Sequence, residues 1–225
     1  MVIENRESPG QAEWILGKIQ KIYSQRAASY NQHVRWLSLG LQRKLRQYIT
    51  AKLDLQPGQT VLEVACGTGL NFSAIQAAIG PEGRLIGFDY TPAMLDQAKK
   101  QIEHQGWQNV SLMQGDVLQL QLAEPVDAIL CTFAIGLFPS PRRALERMVA
   151  ALRPGGRILI ADCKLFERWY GFGVNPVLKY LTRPWVPSIE GYFGVQPWSD
   201  LQELLGETRY EEQFGGLVYL AWGEI

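Results

Sequence analysis

Three carboxylates and two glycines stand at spacings that can hold a charged nucleoside. Glu63 opens the stretch Glu63-Val64-Ala65-Cys66-Gly67-Thr68-Gly69-Leu70-Asn71, directly after the apolar run Thr60-Val61-Leu62. Asp89 follows 26 positions later, at the end of a second apolar run, and Asp116 comes next within Gly115-Asp116-Val117. A buried strand that ends in a glycine-rich turn and opens a helix holds a nucleotide-like ligand at the carboxyl edge of a parallel sheet. Gly67 and Gly69 keep side chains out of the ligand's way. Glu63 decides the ligand class, because a carboxylate in that turn would repel a pyrophosphate seated on the helix N-terminus. Phe72 also occupies the place of the third glycine of the dinucleotide fingerprint. A nucleoside carrying positive charge fits instead. S-adenosylmethionine (SAM), with its ammonium and sulfonium groups, is such a molecule, and this stretch reads as its pocket.

The elements that must position these residues alternate along the chain. Strand signals fall at 60–64, 84–89, 110–113, 126–131 and 157–161. Helix signals fall at 70–78, 91–104 and from Ser140-Pro141 to about 152. Thr91-Pro92 reads as an N-cap followed by proline at the first helical position. This order predicts an α/β fold with a doubly wound, mostly parallel sheet. Residues 209–214 and 217–222, separated by Gly215-Gly216, read as a closing hairpin.

Composition narrows the partners. The 225 residues carry 22 Lys+Arg and 22 Asp+Glu. Such a balance argues against nucleic acid, whose phosphates favour a basic excess. Cys66, Cys131 and Cys163 form no metal-binding spacing, so no metal is expected. No apolar run approaches the length of a membrane span, and the polar start is unlike a signal peptide. The expectation is a cytoplasmic protein, with peripheral membrane contact left open and the oligomeric state unknown.

The glycine-rich stretch resembles motif I of class I SAM-dependent methyltransferases, with Ala65 where the first glycine usually stands. Leu152-Arg153-Pro154-Gly155-Gly156-Arg157 is similar to the turn before that family's fifth strand, and the likeness covers about residues 56–162. It implies a Rossmann-like, seven-stranded sheet ending in an antiparallel hairpin. It also implies a cofactor set: Glu63, Ala65, Cys66, Gly67, Thr68, Gly69 and Asn71 around the methionine end, and Asp89 on the ribose hydroxyls. Tyr90 and Met94 would flank the adenine, Asp116 and the Val117 N–H would read it, and Cys131, Thr132 and Phe133 would border the ammonium or the acceptor. Bland readings stand beside these: Asp89 as a helix cap, Asp116 as a turn residue, and Cys131 as a small buried hydrophobe.

Before the sheet, Tyr23 through Tyr30-Asn31 and on to Leu37-Ser38-Leu39-Gly40-Leu41-Gln42-Arg43 is similar to the leader of the ubiquinone/menaquinone-biosynthesis methyltransferases. The Tyr-Asp of that leader is here Tyr30-Asn31. The resemblance implies a helical lid over residues 1–50, with Tyr23 and Tyr30 on the cofactor. Residues 51–225 would form the SAM-binding domain, with an aromatic-rich substrate cap at about 163–206. Within 163–206 stand Phe166, Trp169, Tyr170, Phe172, Tyr180, Trp185, Tyr192, Phe193 and Trp198. They could wall an apolar pocket, meet a membrane, or pack as core. Lys164, Arg168, Lys179 and Arg183 lie among them.

The activity implied is methyl transfer to a small, fairly apolar acceptor such as a quinone precursor. Similarity to phosphatidylethanolamine N-methyltransferases keeps a lipid-like headgroup acceptor as the alternative, and a non-catalytic SAM-binding protein stands behind both. Ring-carbon methylation would be helped by a general base, for which His33 and Asp162 are the candidates, and Tyr30 in the lid stands with them as a catalytic candidate.

Overall fold

The computed structural model describes residues 9–37 and 40–225. The elements in chain order are α1 (Pro9–Arg26), α2 (Tyr30–Leu37), α3 (Gln42–Ala51), β1 (Thr60–Val64), α4 (Phe72–Ile79), β2 (Arg84–Asp89), α5 (Pro92–Gln105), β3 (Val110–Gln114) and β4 (Val126–Thr132). They continue with α6 (Pro141–Ala150), β5 (Leu152–Cys163), α7 (Gly171–Thr182), α8 (Ile189–Phe193), α9 (Pro197–Leu205), β6 (Arg209–Gln213) and β7 (Val218–Glu224). Ser38 and Leu39 of the leader, and residues 1–8 of the expected lid, lie outside the described residues.

The seven strands lie in the order β3-β2-β1-β4-β5-β7-β6. β1 pairs in parallel with both β2 and β4, while β7 runs antiparallel to β5 and β6. The doubly wound expectation therefore holds. Strand order reverses between β1 and β4, and ligands of such sheets bind beyond the carboxyl ends at that switch point.

Alternation along the strands builds a core on each face. Leu62 and Val64 of β1 join Ile129, Ile158 and Tyr219 beneath α6 and α9, which contribute Leu145, Met148 and Leu201. Val61 joins Leu85, Leu130 and Leu159 beneath α3, α4 and α5, which contribute Ile49, Ile75 and Leu95. Glu63 shares the face of Val61, so its carboxylate is driven into this second layer, where it is buried.

Three expectations shift. α4 begins at Phe72 rather than residue 70, because Gly67 and Gly69 hold φ of 57° and 82° and keep the loop from turning helical earlier. β5 takes in the Pro154-Gly155-Gly156 turn through a bulge against β4, with Gly155 N–H donating to Ile225 O at 2.9 Å. Finally, α9 packs on α6 and β7 as a layer helix, and Trp198 lies against Tyr219 at 4.7 Å. Only the earlier part of residues 163–206 stands off the sheet.

Candidate active site

The loop after β1 is shaped by backbone that side chains rarely tolerate. Ala65 sits at φ 53° and Phe133, just beyond β4, at φ 57°. A bulky residue held there is a strained position, of the kind that clusters at functional sites. Phe72 explains how the loop works without a third glycine. Its ring fills the space beneath the loop: a Cβ on Gly69 would meet it at 2.6 Å, and one on Gly87 at 2.7 Å. The third glycine's role has passed to Gly87, one strand over.

These loops and the N-terminal helices enclose a cavity at the switch point. Ala65, Cys66, Gly67 and Thr68 form one wall. Asp89, Tyr90, Met94, Asp116 and Val117 form a second, with Thr132 and Phe133 between, and Tyr23 and Tyr30 close the top. Thirteen residues predicted from the sequence thus meet in one space. Gly69, Asn71, Glu63 and Cys131 do not line it, and all four are buried.

Asp89 anchors the geometry. Its two oxygens accept from Gly67 N–H and Thr91 N–H, each at 2.8 Å, which fastens the glycine loop to the end of β2. Burial pushes its carboxyl up to about 6, against the pull of those N–H donors. A carboxylate offers about four acceptor directions, so Asp89 keeps capacity for a ligand's hydroxyl. Asp116 accepts from Leu118 N–H at 3.0 Å and still lines the cavity.

At the opposite end lies a residue that sequence reasoning missed. Arg46 of α3 is buried, and its guanidinium donates to Thr132 Oγ1 at 2.9 Å and Asn71 Oδ1 at 3.1 Å. It also stacks over the Phe133 ring, 5.1 Å from the centroid, and lines the cavity. Asn71 in turn donates to Glu63 Oε1 at 2.7 Å, while Glu63 Oε2 has no partner among the described residues. Burial lifts Glu63 to about 7, opposed by Asn71 and by the Arg46 charge. A readable signal existed: Arg46 shares a helical stripe with Ile49, Thr50 and Leu53, and a cation on an apolar stripe asks for a buried partner.

The catalytic candidates fare differently. Tyr30 lines the cavity, its phenol pushed up by burial, and Tyr23 beside it is raised further, again by burial first. His33 is exposed, with Nδ1 2.8 Å from Ser29 O and its ring on Trp185, and it does not reach the cavity. Asp162 lies behind the wall, accepting from Cys163 N–H at 2.8 Å, Gly136 N–H at 3.1 Å and the Tyr192 hydroxyl. Those bonds hold the Ile135–Leu137 turn in place. Cys66 reaches the cavity, but burial pushes its thiol well above the usual range, so it stays protonated and unreactive. Lys164 is withdrawn from the surface into bonds with Glu167, Tyr210 and Glu212. None of the nine aromatics named within residues 163–206 lines the cavity.

The donor set fits a nucleoside that carries both a cation and a carboxylate. Asp89 and Asp116 offer acceptors at one end. At the other, the orphaned Glu63 oxygen asks for positive charge and Arg46 for negative. Among the described residues, no group of three His, Cys, Asp or Glu side chains could hold a metal.

Known proteins resemble the chain in sequence and in fold. A family model described as a methyltransferase domain matches residues 55–181, more than half of the chain. A demethylmenaquinone methyltransferase of Lactobacillus johnsonii is 29% identical over 190 residues, 84% of this chain and 71% of that protein. One from Desulfitobacterium hafniense is 22% identical over 224 residues, 91% and 88% of the two chains. The crystal structure of a SAM dependent methyltransferase from Aquifex aeolicus shares the fold, with a TM-score of 0.59 at 20% identity, covering 80% of this chain and 89% of that one. These findings make the chain a member of the methyltransferase domain family, a class I enzyme whose methyl donor is S-adenosylmethionine.

Proposed function

We propose that this enzyme methylates a small, fairly apolar acceptor of the quinone-precursor type. The observation that carries the reading is the character of the remaining cavity wall. Leu16, Ile19, Leu137, Phe138 and Pro139 make it apolar, and the Tyr23 and Tyr30 rings close it. An apolar pocket with a few convergent polar groups selects a flat, hydrophobic molecule with one or two oxygens. The two relatives above, aligned over most of this chain, carry the name demethylmenaquinone methyltransferase, which supports the same class.

SAM, when bound, supplies an electrophilic methyl group on its sulfonium. The chain's part is positioning, which dominates the rate of such transfers. In this reading Asp89 accepts from the ribose hydroxyls, and Asp116 with the Val117 N–H reads the adenine between Tyr90 and Met94. Arg46 takes the methionine carboxylate, with Glu63 and Thr132 beside the ammonium. Tyr30, kept protonated by burial, donates to the acceptor's oxygen, while the Tyr23 hydroxyl, whose proton goes to Trp185 O, packs its ring beside it. His33 lies outside the cavity and Asp162 is held by its own donors, so neither supplies a base to the acceptor. Methylation of a quinol in this reading releases the sulfonium as a neutral thioether together with a proton, which passes to water rather than to His33 or Asp162.

The test supplies methyl-labelled SAM with a short-chain demethylated quinol, and in parallel with phosphatidylethanolamine vesicles and an aqueous metabolite extract. Label in the quinol is the expected outcome. Label confined to phospholipid or to aqueous products would overturn the acceptor class.

A further inference from the structure

Helix α7 leaves most of its side chains exposed, although it is rich in large apolar ones. Phe172 is 95% exposed, Trp169 just before it 89%, and Tyr180 75%, with Val177 and Leu181 more than half exposed. Large apolar groups left in water this way mark a surface that meets something else. Helical geometry sorts them. Asn175, Leu178 and Thr182, spaced three and four apart, turn toward the body, and the Asn175 side chain bonds both Phe166 N–H and Phe166 O at 2.9 Å. The opposite side carries Val177, Tyr180 and Leu181, with Trp169 and Phe172 exposed where the helix begins. Lys179 and Arg183 lie one turn apart along the edge of that apolar face.

Charge identifies the occupant. From Arg168 to Ile189 there is no acidic residue, so the segment carries three cations and no anion. The protein as a whole is balanced at 22 basic and 22 acidic residues, and here the balance is broken. A helix with aromatic and aliphatic side chains on one face and Lys/Arg at its edge lies in the plane of an anionic bilayer, apolar side down. A protein partner or second copy would leave those cations needing matched carboxylates. Anionic headgroups supply them at any rotation. A neighbouring element adds to the patch. Trp36 of α2 is 85% exposed, one turn beyond His33, whose ring touches Trp185 just after α7. Among the described residues no helix is long and apolar enough to cross a membrane, so the contact is with the surface. We infer that α7, with Trp36 beside it, docks this enzyme onto anionic lipid bilayers.

The inference is independent of which acceptor is methylated, and its test uses no turnover. The full chain is floated on a density gradient with vesicles of phosphatidylcholine containing about one-third phosphatidylglycerol, and with phosphatidylcholine alone. Wild type should float with the anionic vesicles and much less with the neutral ones. The triple variant Trp169→Ser/Phe172→Ser/Tyr180→Ser should partition at least about tenfold less. Lys179→Glu/Arg183→Glu should lose about tenfold or more on anionic vesicles and little on neutral ones. All five side chains are exposed, so both variants should unfold at the wild-type temperature. Wild type staying at the bottom of the gradient, or variants floating as well as wild type, would overturn the inference. So would a wild-type dimer that the triple variant turns into a monomer while vesicles bind neither, since the patch would then be a protein interface.

Discussion

Asp89 performs two tasks with one carboxylate, and this makes it the most consequential side chain in the cavity. It ties Gly67 and Thr91 to the end of β2, and in the proposed reading its free lone pairs take the ribose. Hydrogen bonds to a charged acceptor contribute about 1.5–3 kcal/mol. Asp89→Asn should therefore weaken SAM binding by about tenfold to a hundredfold in calorimetry, and an unchanged affinity would remove the ribose role. Because the Asp89 carboxyl sits at about 6, wild-type affinity should also fall as pH drops below that value and the acceptor takes a proton. Arg46 supports a sharper test at the other end. Arg46→Met should weaken SAM by about tenfold or more, while leaving the affinity for decarboxylated SAM almost unchanged. Equal losses for both ligands would mean that Arg46 only braces Asn71 and Thr132. Ala65 offers a prediction of opposite sign. At φ 53° an alanine is strained by about 1–2 kcal/mol, partly offset by the greater chain entropy of glycine. Ala65→Gly should raise stability by up to about 1 kcal/mol, a melting increase of about 2–4 °C, and leave SAM affinity intact.

At the scale of elements, the N-terminal helices are held over the cavity by few ties. In α1 only Ile15 and Ile19 are buried among the described residues, and both belong to a small satellite cluster with Leu137, Val186 and Tyr192. Polar ties include Thr68 Oγ1 to Asn31 Oδ1 at 2.6 Å and Tyr23 hydroxyl to Trp185 O at 3.2 Å. Elements with so few buried contacts open at low cost. Asn31→Ala deletes the side-chain bond that joins α2 to the glycine loop, a loss of about 0.5–1.5 kcal/mol. SAM should then dissociate about two to ten times faster in stopped-flow measurements while the melting temperature falls by no more than a few degrees, and an unaltered rate would mean the bond does not latch the lid. Much of this architecture was legible beforehand for local reasons. Strand–turn–helix alternation announces a parallel sheet, Thr91-Pro92 marks a helix start, and a glycine-rich turn after an apolar strand marks the switch point. What was hidden depends on long-range packing. The apolar stripe of Arg46 with Ile49, Thr50 and Leu53 hints that it turns inward, but its partners Thr132 and Asn71 lie far along the chain and only packing reveals them. Likewise, Trp198 reads like Trp169 in a string, yet one packs edge-on against Tyr219 while the other stands in solvent.

Across the whole molecule, charge balance gives local groups control of the response to pH. With equal numbers of basic and acidic residues, net repulsion is small near neutrality, so global charge has little leverage on stability. Three buried carboxyls remain. Glu63 is lifted to about 7, and Asp89 and Asp162 to about 6, each by burial above all. An acid whose folded value lies above its unfolded value binds its proton more tightly when folded. Its favourable contribution is full below the unfolded value near 4 and is lost as pH rises through the folded one. A tenfold gain in proton affinity on folding corresponds to about 1.4 kcal/mol, so the three together outweigh the opposing pull of Glu211 and Glu212. Those two carboxyls are lowered first by bonds to Lys52 and Lys164, but they sit near the surface, where water and salt screen them. The ligand-free enzyme should accordingly lose stability between about pH 5 and 7.5, read as a falling melting temperature in a buffer series at about 0.15 M salt. Saturating SAM should flatten that fall, because a cation beside Glu63 and hydroxyls on Asp89 favour the ionised forms that burial penalises. Binding near pH 6.5 should then release protons, visible as a calorimetric enthalpy that changes with the buffer's own ionisation heat. A ligand-free melting temperature that climbs steadily over this range would show that these carboxyls are already ionised at little cost, and the linkage between cofactor and proton would fail with it.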